Sequence, residues 1–167
     1  MEIHRPDDTD IRIMRLLQQD ARLTGDEIGR KIHKATASVN RRIRILQNDG
    51  YIKKYVAILD NKKLNLGFIT FTRVKLKNHS NESMETFEDK VSAFPEVLEC
   101  HHLTGKYDFI LRIAVADADS YAQFLTKKLF PLVVKEKVFT ELVLRSPKME
   151  TGIPLAIPGH PVSGSEK

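Results

Sequence analysis

The stretch "TGDEIGRKIHKATASVNRRIRILQNDG", residues 24–50, decides the fold of the first third of the chain. Thr24 and Glu27 have the spacing of a capping box, which predicts the start of a helix. A break follows near His33, and a second amphipathic helix then runs to a turn at its Asn-Asp-Gly end. A further helix is predicted upstream over residues 9–20. Helix, capped helix, tight turn and helix are the order of a helix-turn-helix motif.

The second helix of this stretch has two unlike faces. Val39, Ile43 and Leu46 fall on one stripe and are predicted to face the core. Small residues near the start of the helix, Ala37 and Ser38, allow a close approach to DNA bases. Base edges or phosphates are within reach of Asn40, Arg41 and Arg44. Phosphate contacts are expected from Arg42, Lys53 and Lys54. The predicted DNA-contacting set is therefore Thr36, Ala37, Ser38, Asn40, Arg41, Arg42, Arg44, Lys53 and Lys54.

The net charge of +5 lies entirely near the start of the chain. Residues 1–63 carry 14 Lys and Arg against 9 Asp and Glu, whereas residues 64–167 carry 13 of each. Residues 30–54 hold eight cations and the single anion Asp49. A basic segment without acidic neighbours favours a polyanionic partner, first double-stranded DNA and second an anionic membrane. The alternative is an ordinary solvated helix face.

Composition narrows the class of protein. A single cysteine, Cys100, excludes an intramolecular disulfide and fits a reducing cytoplasm. No apolar run approaches the roughly 18 residues that span a bilayer, so no membrane association is expected. Neither a catalytic constellation nor a zinc-type Cys/His spacing is present in the sequence. We therefore expect a cytoplasmic protein that is not an enzyme and that has no catalytic residues, metal site or cofactor.

The remainder of the chain alternates between strands and helices. A strand is predicted over "YIKKYVAILD", residues 51–60, directly after the helix-turn-helix, as the wing of a winged motif. Beyond it the predicted strands are 68–77, 97–104, 109–115 and 137–145, and the predicted helices are 83–94 and 118–130. The order β-α-β-β-α-β is the ferredoxin-like split arrangement.

The predicted fold class is thus α+β, with an N-terminal winged helix-turn-helix domain and a C-terminal ferredoxin-like βαββαβ domain. The predicted boundaries are 1–50 for the helix-turn-helix, 51–66 for the strand and linker, 67–146 for the ferredoxin-like domain and 147–167 for a tail. The tail holds four of the seven prolines and three glycines. It is expected to be partly disordered or to dock on a partner subunit.

Four motifs in fixed order resemble a known family. They are "LLQQDARLTGDEIG" (16–29), "VNRRIRILQNDGYIKKYVAILD" (39–60), "HHLTGKYDFILRI" (101–113) and "TELVLRSPKMETGIPL" (140–155). Over residues 6–155 the chain resembles the leucine-responsive/asparagine-responsive (Lrp/AsnC, or feast/famine) bacterial transcriptional regulators. The resemblance implies a sequence-specific DNA-binding regulator that forms a homodimer or a dimer-based octamer.

The resemblance also implies a small-molecule effector, usually an amino acid, bound between dimers by the C-terminal domain. The effector residues it implies are Thr104, Gly105, Lys106, Tyr107, Asp108 and Thr140. From the residues alone, the Gly-Lys-Tyr-Asp loop is more simply a hairpin turn in which Asp108 caps backbone amides. The alternative function is that of a sirohaem decarboxylase-like enzyme, since those enzymes resemble the same family in both domains.

One segment departs from the family pattern, and one triplet could be taken for a metal site. The family usually has glycine, an apolar residue and a serine cap before the second helix, where this chain has His33, Lys34 and Ala35. His33 can adopt a left-handed conformation at some cost, and our hypothesis for the missing cap is that Thr36 takes over by shifting the helix start one residue. The triplet 100–102, Cys-His-His, is expected to lie in a strand whose alternation prevents convergence on a metal.

Overall fold

The computed structural model describes residues 5–150 and 152–155. The chain divides into two compact units. The helical unit comprises the described residues up to Ile58 together with those from Lys148 onward, and the sheet unit is Leu59–Pro147. The chain therefore leaves the helical unit once and returns to it after the sheet unit.

Three α-helices form the described part of the helical unit, namely α1 (Asp8–Gln19), α2 (Gly25–Ile32) and α3 (Thr36–Asn48). Each contributes an apolar stripe to one shared core. That core consists of Ile13, Met14, Leu17, Ile28, Ile32, Val39 and Leu46. All three helices agree with the sequence prediction, with α1 beginning one residue earlier than expected.

The first two helices begin at reciprocal caps. The Asp7 carboxylate accepts the Asp10 N–H at 2.9 Å, and the Asp10 carboxylate accepts the Asp7 N–H at 3.1 Å. At α2 the Thr24 hydroxyl accepts the Glu27 N–H at 3.2 Å, while the Glu27 carboxylate accepts the Thr24 N–H at 2.7 Å. Each pair satisfies two backbone donors that the helix cannot satisfy itself. The capping box predicted at Thr24 is confirmed.

The turn between α2 and α3 depends on two residues. His33 has φ 57° and ψ 51°, so it ends α2 in the left-handed conformation. The Lys34 N–H donates to the Gly29 carbonyl at 2.9 Å. A Cβ atom on Gly29 would lie 2.5 Å from the Lys34 carbonyl oxygen, closer than any side chain tolerates. Glycine at position 29 is therefore what lets the turn fold back against α2.

The strand predicted at residues 51–60 is wrong for this chain, because the structure assigns no strand there. Its apolar side chains remain exposed, including Tyr55, Val56 and Ile58 at 43%, 62% and 63%. A β-strand exists only where a neighbour completes its backbone hydrogen bonds. Within the described residues no neighbouring strand does so, and the alternating sequence pattern alone does not supply one.

The sheet unit is a four-stranded antiparallel sheet with the order β2-β3-β1-β4. Its elements are β1 (Phe68–Val74), α4 (Asn81–Ser92), β2 (Val97–His102), β3 (Phe109–Val115), α5 (Ala118–Phe124) and β4 (Phe139–Leu142). The predicted β-α-β-β-α-β order is confirmed. Val74 and Leu76 are both buried in the main core between the helices and the sheet.

The predicted element ends differ in several places. The helix expected over 118–130 is α-helical only to Phe124, and then continues as a π turn (Leu125–Leu129) and a 3-10 turn (Phe130–Leu132). Pro131 lies in the last turn, where its missing N–H and its ring oppose regular helix. The helix expected over 83–94 begins two residues earlier, because the Ser80 hydroxyl accepts the Ser83 N–H and caps α4.

Strand lengths also fall short of the prediction. β1 ends at Val74, although the strand was expected to reach residue 77, and β2 ends at His102. β4 covers only Phe139–Leu142 of the nine residues expected, because a 3-10 turn occupies Lys135–Lys137 just before it. Apolar alternation continues past the point where backbone pairing stops, so it overestimates strand length.

Candidate DNA-contacting surface and effector region

The two faces of α3 are separated as the sequence predicted. Val39 and Leu46 are fully buried, and Ile43 packs against the same core. The opposite face is exposed to solvent. The predicted DNA-contacting residues that are exposed are Thr36, Ala37, Asn40, Arg41, Arg44, Lys53 and Lys54, while Ser38 is half-buried.

Arg41 and Arg44 have no acidic partner among the described residues of the chain. Both guanidinium groups project from a helix whose core side is fixed by packing. An arginine with this freedom can bind a base edge or a phosphate without first breaking an ion pair. These two residues therefore form the cationic centre of the exposed α3 face.

Arg42 differs from the other two arginines of α3. Its guanidinium donates at 2.8 Å to both Asp7 and Asp10, and the Asp10 side chain is fully buried. Hydrogen bonding to Asp10 raises the pKa of Arg42 above its ordinary value. Arg42 is therefore bound within the protein, and its assignment as a phosphate contact stays a prediction. This side chain ties α3 to the capped start of α1, because a buried carboxylate requires a partner.

Asp26 on α2 explains the other departures from the sequence prediction. Its carboxylate forms an ion pair with Arg30 one turn away, and it accepts the Thr36 hydroxyl at 3.4 Å. Thr36 is thus the first helical residue, and the N-cap of α3 is Ala35, which makes no side-chain cap. The expected shift of the cap to Thr36 is wrong, since Asp26 engages its hydroxyl instead.

Asn40 lies directly against the start of α2. A Cβ atom on Gly25 would fall 2.0 Å from Asn40 Oδ1, so the amide occupies the space that glycine leaves open. The contact restricts Asn40 to a position between α2 and the exposed face of α3.

A segment near the C-terminus packs on α1 of the same chain. The Ile153 N–H donates to Gln18 Oε1 at 2.7 Å, and Gln18 Nε2 donates back to the Ile153 carbonyl at 3.2 Å. The Arg15 guanidinium donates to the Leu155 carbonyl at 2.9 Å, and Leu155 packs against the core of the helical unit. Within this chain the backbone groups of Ile153 and Leu155 thus find donors and acceptors on α1, and docking of the tail on a partner subunit stays a prediction. The other tail positions from 156 lie outside the described residues.

In the sheet unit, the predicted effector loop is a turn with its own internal bonds. Gly105 has φ 120°, which favours glycine, and the Leu103 N–H donates to the Asp108 carbonyl at 2.8 Å. Asp108 is buried, and its carboxylate accepts the Leu76 N–H at 2.7 Å and contacts His79 Nε2 at 3.1 Å. Asp108 therefore caps a backbone amide whether the loop is only a hairpin turn or also binds an effector.

Lys106 and Tyr107 are the loop side chains that remain available to a ligand. The Lys106 ammonium lies 5.6 Å from the Tyr107 ring centroid, and the Tyr107 ring lies 6.4 Å from that of Phe139. This contact brings the loop beside β4, the strand that carries Thr140. Thr104, Gly105, Lys106 and Thr140 are exposed, and the Tyr107 ring lies near Phe139, the residue before Thr140 in β4.

Two residues near the effector region were missed by sequence reasoning. The Tyr121 hydroxyl hydrogen-bonds to Thr140 Oγ1 at 2.7 Å, and His79 contacts Asp108. Tyr121 had every sign of an ordinary core aromatic at helical spacing, and His79 lies in a loop without periodicity. Neither helical spacing nor a loop position identifies a residue beside an effector site, because each of the two contacts joins positions far apart in the sequence.

The Cys-His-His triplet behaves as strand packing. Cys100 is half-buried, and its burial raises the pKa of the thiol to about 11. His102 stacks on the Phe109 ring with centroids 4.8 Å apart, while His101 pairs with Glu99 on the other face. Among the described residues, no group of three His, Cys, Asp or Glu side chains is placed to hold a metal ion. Within the same residues no helix is long and apolar enough to cross a bilayer.

Together, the capped helix-turn-helix with a cationic outer face and the βαββαβ sheet unit define a two-domain DNA-binding protein with a ligand-binding module. Models of two domain families match the chain: "Winged helix-turn-helix DNA-binding" over residues 6–53 and "Lrp/AsnC ligand binding domain" over residues 69–153. The chain belongs to the Lrp/AsnC family of transcriptional regulators.

Curated relatives and solved structures agree with this membership. The glutamate uptake regulatory protein of Zymomonas mobilis is 36% identical over 92% of this chain and 93% of its own. Transcriptional regulator AzlB of Bacillus subtilis is 31% identical over 89% of this chain and 95% of its own. The transcriptional regulator NMB0573 of Neisseria meningitidis, solved with L-Met, has a TM-score of 0.84 at 30% identity and covers 90% of this chain and 97% of its own.

Proposed function

We propose that this transcriptional regulator binds double-stranded DNA through the outer face of α3 and responds to an amino acid bound by its sheet unit. The observation that carries the DNA-binding role is the division of the α3 cations. Arg42 is used inside the protein, whereas Arg41 and Arg44 face outward without acidic partners among the described residues. Such a surface suits the major groove.

Base reading and phosphate binding are assigned to different residues. Asn40, Arg41 and Arg44 lie on the exposed face of a helix and can reach base edges. Thr36, Ala37 and Ser38 stand at its start, where small side chains permit close approach. Lys53 and Lys54, exposed beyond the end of α3, are assigned to phosphates, which provide affinity and salt dependence.

The effector is proposed to be an amino acid. This rests on two relatives: a glutamate uptake regulatory protein and a regulator whose structure contains L-Met. The effector residues are Thr104, Gly105, Lys106, Tyr107 and Thr140, with Asp108 shaping the loop. An effector that binds one assembly or orientation more tightly than another shifts the population, and DNA affinity follows.

The protein is proposed to act as a homodimer, or as a dimer-based octamer, in the cytoplasm and without enzymatic activity. Apolar side chains that the described residues leave uncovered support self-association. Val56 and Ile58 are more than half exposed, and Phe139 is 48% exposed on the sheet face opposite the helices. Uncovered apolar surface of this kind marks an interaction site.

The test is a binding titration on a DNA fragment from the protein's own promoter, repeated with each of the twenty amino acids. Assembly size is measured in parallel by light scattering. We expect specific binding with a steep salt dependence, and a shift in affinity or assembly with at least one amino acid. Equal affinity for promoter and unrelated DNA contradicts the regulatory role, and absence of any amino-acid effect contradicts the effector.

A further inference from the structure

Four hydroxyl groups in the sheet unit form one continuous chain. Thr70 Oγ1 lies 3.2 Å from Thr72 Oγ1, which lies 2.7 Å from the Tyr121 hydroxyl, which lies 2.7 Å from Thr140 Oγ1. Thr72 and Thr140 are paired across β1 and β4, and Tyr121 reaches them from α5. The chain therefore connects the buried side of the sheet with a residue of the proposed effector site.

The burial of these groups is uneven. Thr70 and Thr72 are 1% and 0% exposed, and Tyr121 is 8% exposed. Thr140, on the edge strand β4, is exposed. Within the described residues, none of these four hydroxyls has a hydrogen-bond partner other than the hydroxyls of the same series. The network is thus linear, with a buried end and an open end.

The number of hydroxyl protons determines which hydroxyl donates and which accepts in each of these hydrogen bonds. Each hydroxyl can donate one proton, so four hydroxyls joined by three hydrogen bonds leave one proton that none of these bonds uses. The hydroxyl that only accepts within the chain is the one whose proton is left over. If that hydroxyl were Thr70, Thr72 or Tyr121, a buried donor would have no acceptor, which is costly. Only Thr140 can turn its leftover proton to solvent or to a ligand.

We infer that Tyr121 is a positioning residue that makes Thr140 a hydrogen-bond donor toward the effector's carboxylate. Tyr121 donates to Thr140 Oγ1, so the Thr140 proton points away from the core. At neutral pH the charged acceptor of a free amino acid is its carboxylate, whereas its ammonium only donates. An outward donor at position 140 therefore selects the carboxylate end of the effector.

The charges of the neighbouring loop, residues 104–108, also favour the carboxylate end of the effector. Its only carboxylate, Asp108, already accepts the Leu76 N–H and contacts His79. Its ammonium group, Lys106, has no carboxylate partner among the described residues and lies near the Tyr107 ring. Charge on the accessible part of the loop is thus positive, which favours an anionic group. This inference rests on the proposed amino-acid effector and on the place of Thr140 in its site.

The test is a double-mutant cycle on the full-length protein, read by calorimetric titration. Wild type is first titrated with each of the twenty L-amino acids, and the one that binds most tightly is the probe. Tyr121→Phe keeps the ring and removes the hydroxyl, and Thr140→Val keeps the shape and removes the donor. Each is expected to weaken probe affinity by about tenfold, roughly the effect of one well-placed hydrogen bond.

The decisive reading is the double variant. Because Tyr121 acts through Thr140, adding Tyr121→Phe to Thr140→Val should change affinity less than about twofold. A merely structural role for Tyr121 predicts instead a second, additive loss, and that result overturns the inference. Thr140→Ser, which retains the donor, is expected to bind like wild type, and loss of binding there also overturns it.

Two controls separate this inference from the proposed function. Thr70→Val removes the innermost hydroxyl but leaves Thr72 donating to Tyr121 and Tyr121 to Thr140, so probe affinity should be unchanged. Thermal midpoints of all variants show that the fold persists. If wild type binds none of the twenty amino acids, the proposed effector and this inference both fail. If wild type binds and the cycle is additive, only the inference fails.

Discussion

The outer face of α3 and the loop at 104–108 differ in how their charged side chains are used. On α3, Arg41 and Arg44 point outward, and their neighbour Arg42 pairs with two aspartates of α1. In the loop, the acidic residue Asp108 is buried and caps the Leu76 N–H. One charge in each region is therefore structural, and position in the sequence does not reveal which one.

The difference teaches that a charged residue beside a functional surface must be judged by its partner. Arg42 has the same residue type as Arg41 and is its immediate neighbour, but its partners lie 32 and 35 positions away along the chain. The free-energy cost of binding a polyanion is small for a cation that is already exposed. A cation bound to a buried carboxylate removes the opposite charge from that carboxylate when it moves. The following variants test this distinction and the framework that presents α3.

The largest effect is expected for Gly29→Ala. The new Cβ would lie 2.5 Å from the Lys34 backbone oxygen, so the turn that orients α3 has to shift. We expect the free energy of unfolding in urea to fall by about 3 kcal/mol. Gly25→Ala is the matched control, because there the Cβ meets only the movable end of the Asn40 side chain. Equal losses in both variants would contradict the close contact at Gly29.

Arg42→Ala is expected to rank second. It leaves the buried Asp10 carboxylate without its guanidinium donor, and the free energy of unfolding should fall by about 2 kcal/mol. Arg41→Ala, on the exposed side of the same helix, should change it by less than about 0.5 kcal/mol. Chemical denaturation of the two variants side by side measures the contrast. An equally stable Arg42→Ala protein would return Arg42 to the DNA-contacting surface.

A smaller and opposite effect is expected for His33→Gly. His33 ends α2 with φ 57°, a conformation that glycine adopts without strain. The gain is partly offset by the greater freedom of glycine in the unfolded chain, so we expect about 0.5 kcal/mol of added stability. Thermal unfolding, with His33→Ala as the control that cannot relieve the strain, checks the sign. A loss of stability with glycine would contradict a strained left-handed cap.

The smallest effect concerns acid. Hydrogen bonds from Arg22 lower the pKa of Asp20, at the end of α1, to about 2. A carboxylate with a lowered pKa in the folded state contributes stability above its unfolded pKa of about 4 and loses it as the pH falls toward 2. Asp20→Asn should therefore reduce the drop in thermal midpoint between pH 4 and pH 2. Identical acid profiles for wild type and variant would show that the pair does not act in solution.

Local signals predicted the helical unit well. The Thr24–Glu27 capping box and the apolar stripes depend on residues within a few positions of each other. The β-α-β-β-α-β order was likewise readable, because strand and helix periods alternate along the chain. These features belong to short segments, so the sequence contains all the information that they require.

Contacts between distant positions were not predictable. The tail bonds of Gln18 and Arg15 span 135 and 140 positions, and the Tyr121–Thr72 bond spans 49. The strand expected at 51–60 failed for a related reason, since alternation describes a face but not the neighbour that pairs with it. Thr36 was assigned as a cap because nothing in the sequence shows Asp26 beside it.

The most direct test of the central claim is the affinity of an Arg41→Ala/Arg44→Ala double variant for a DNA fragment from the protein's own promoter. Arg12→Ala/Lys90→Ala, which also removes two exposed cations but keeps both of those on α3, controls for net charge. We predict that the double variant loses about 1–3 kcal/mol of specific binding per arginine that contacts a base, with its thermal midpoint unchanged. Unchanged promoter affinity in the double variant would contradict DNA recognition by the outer face of α3.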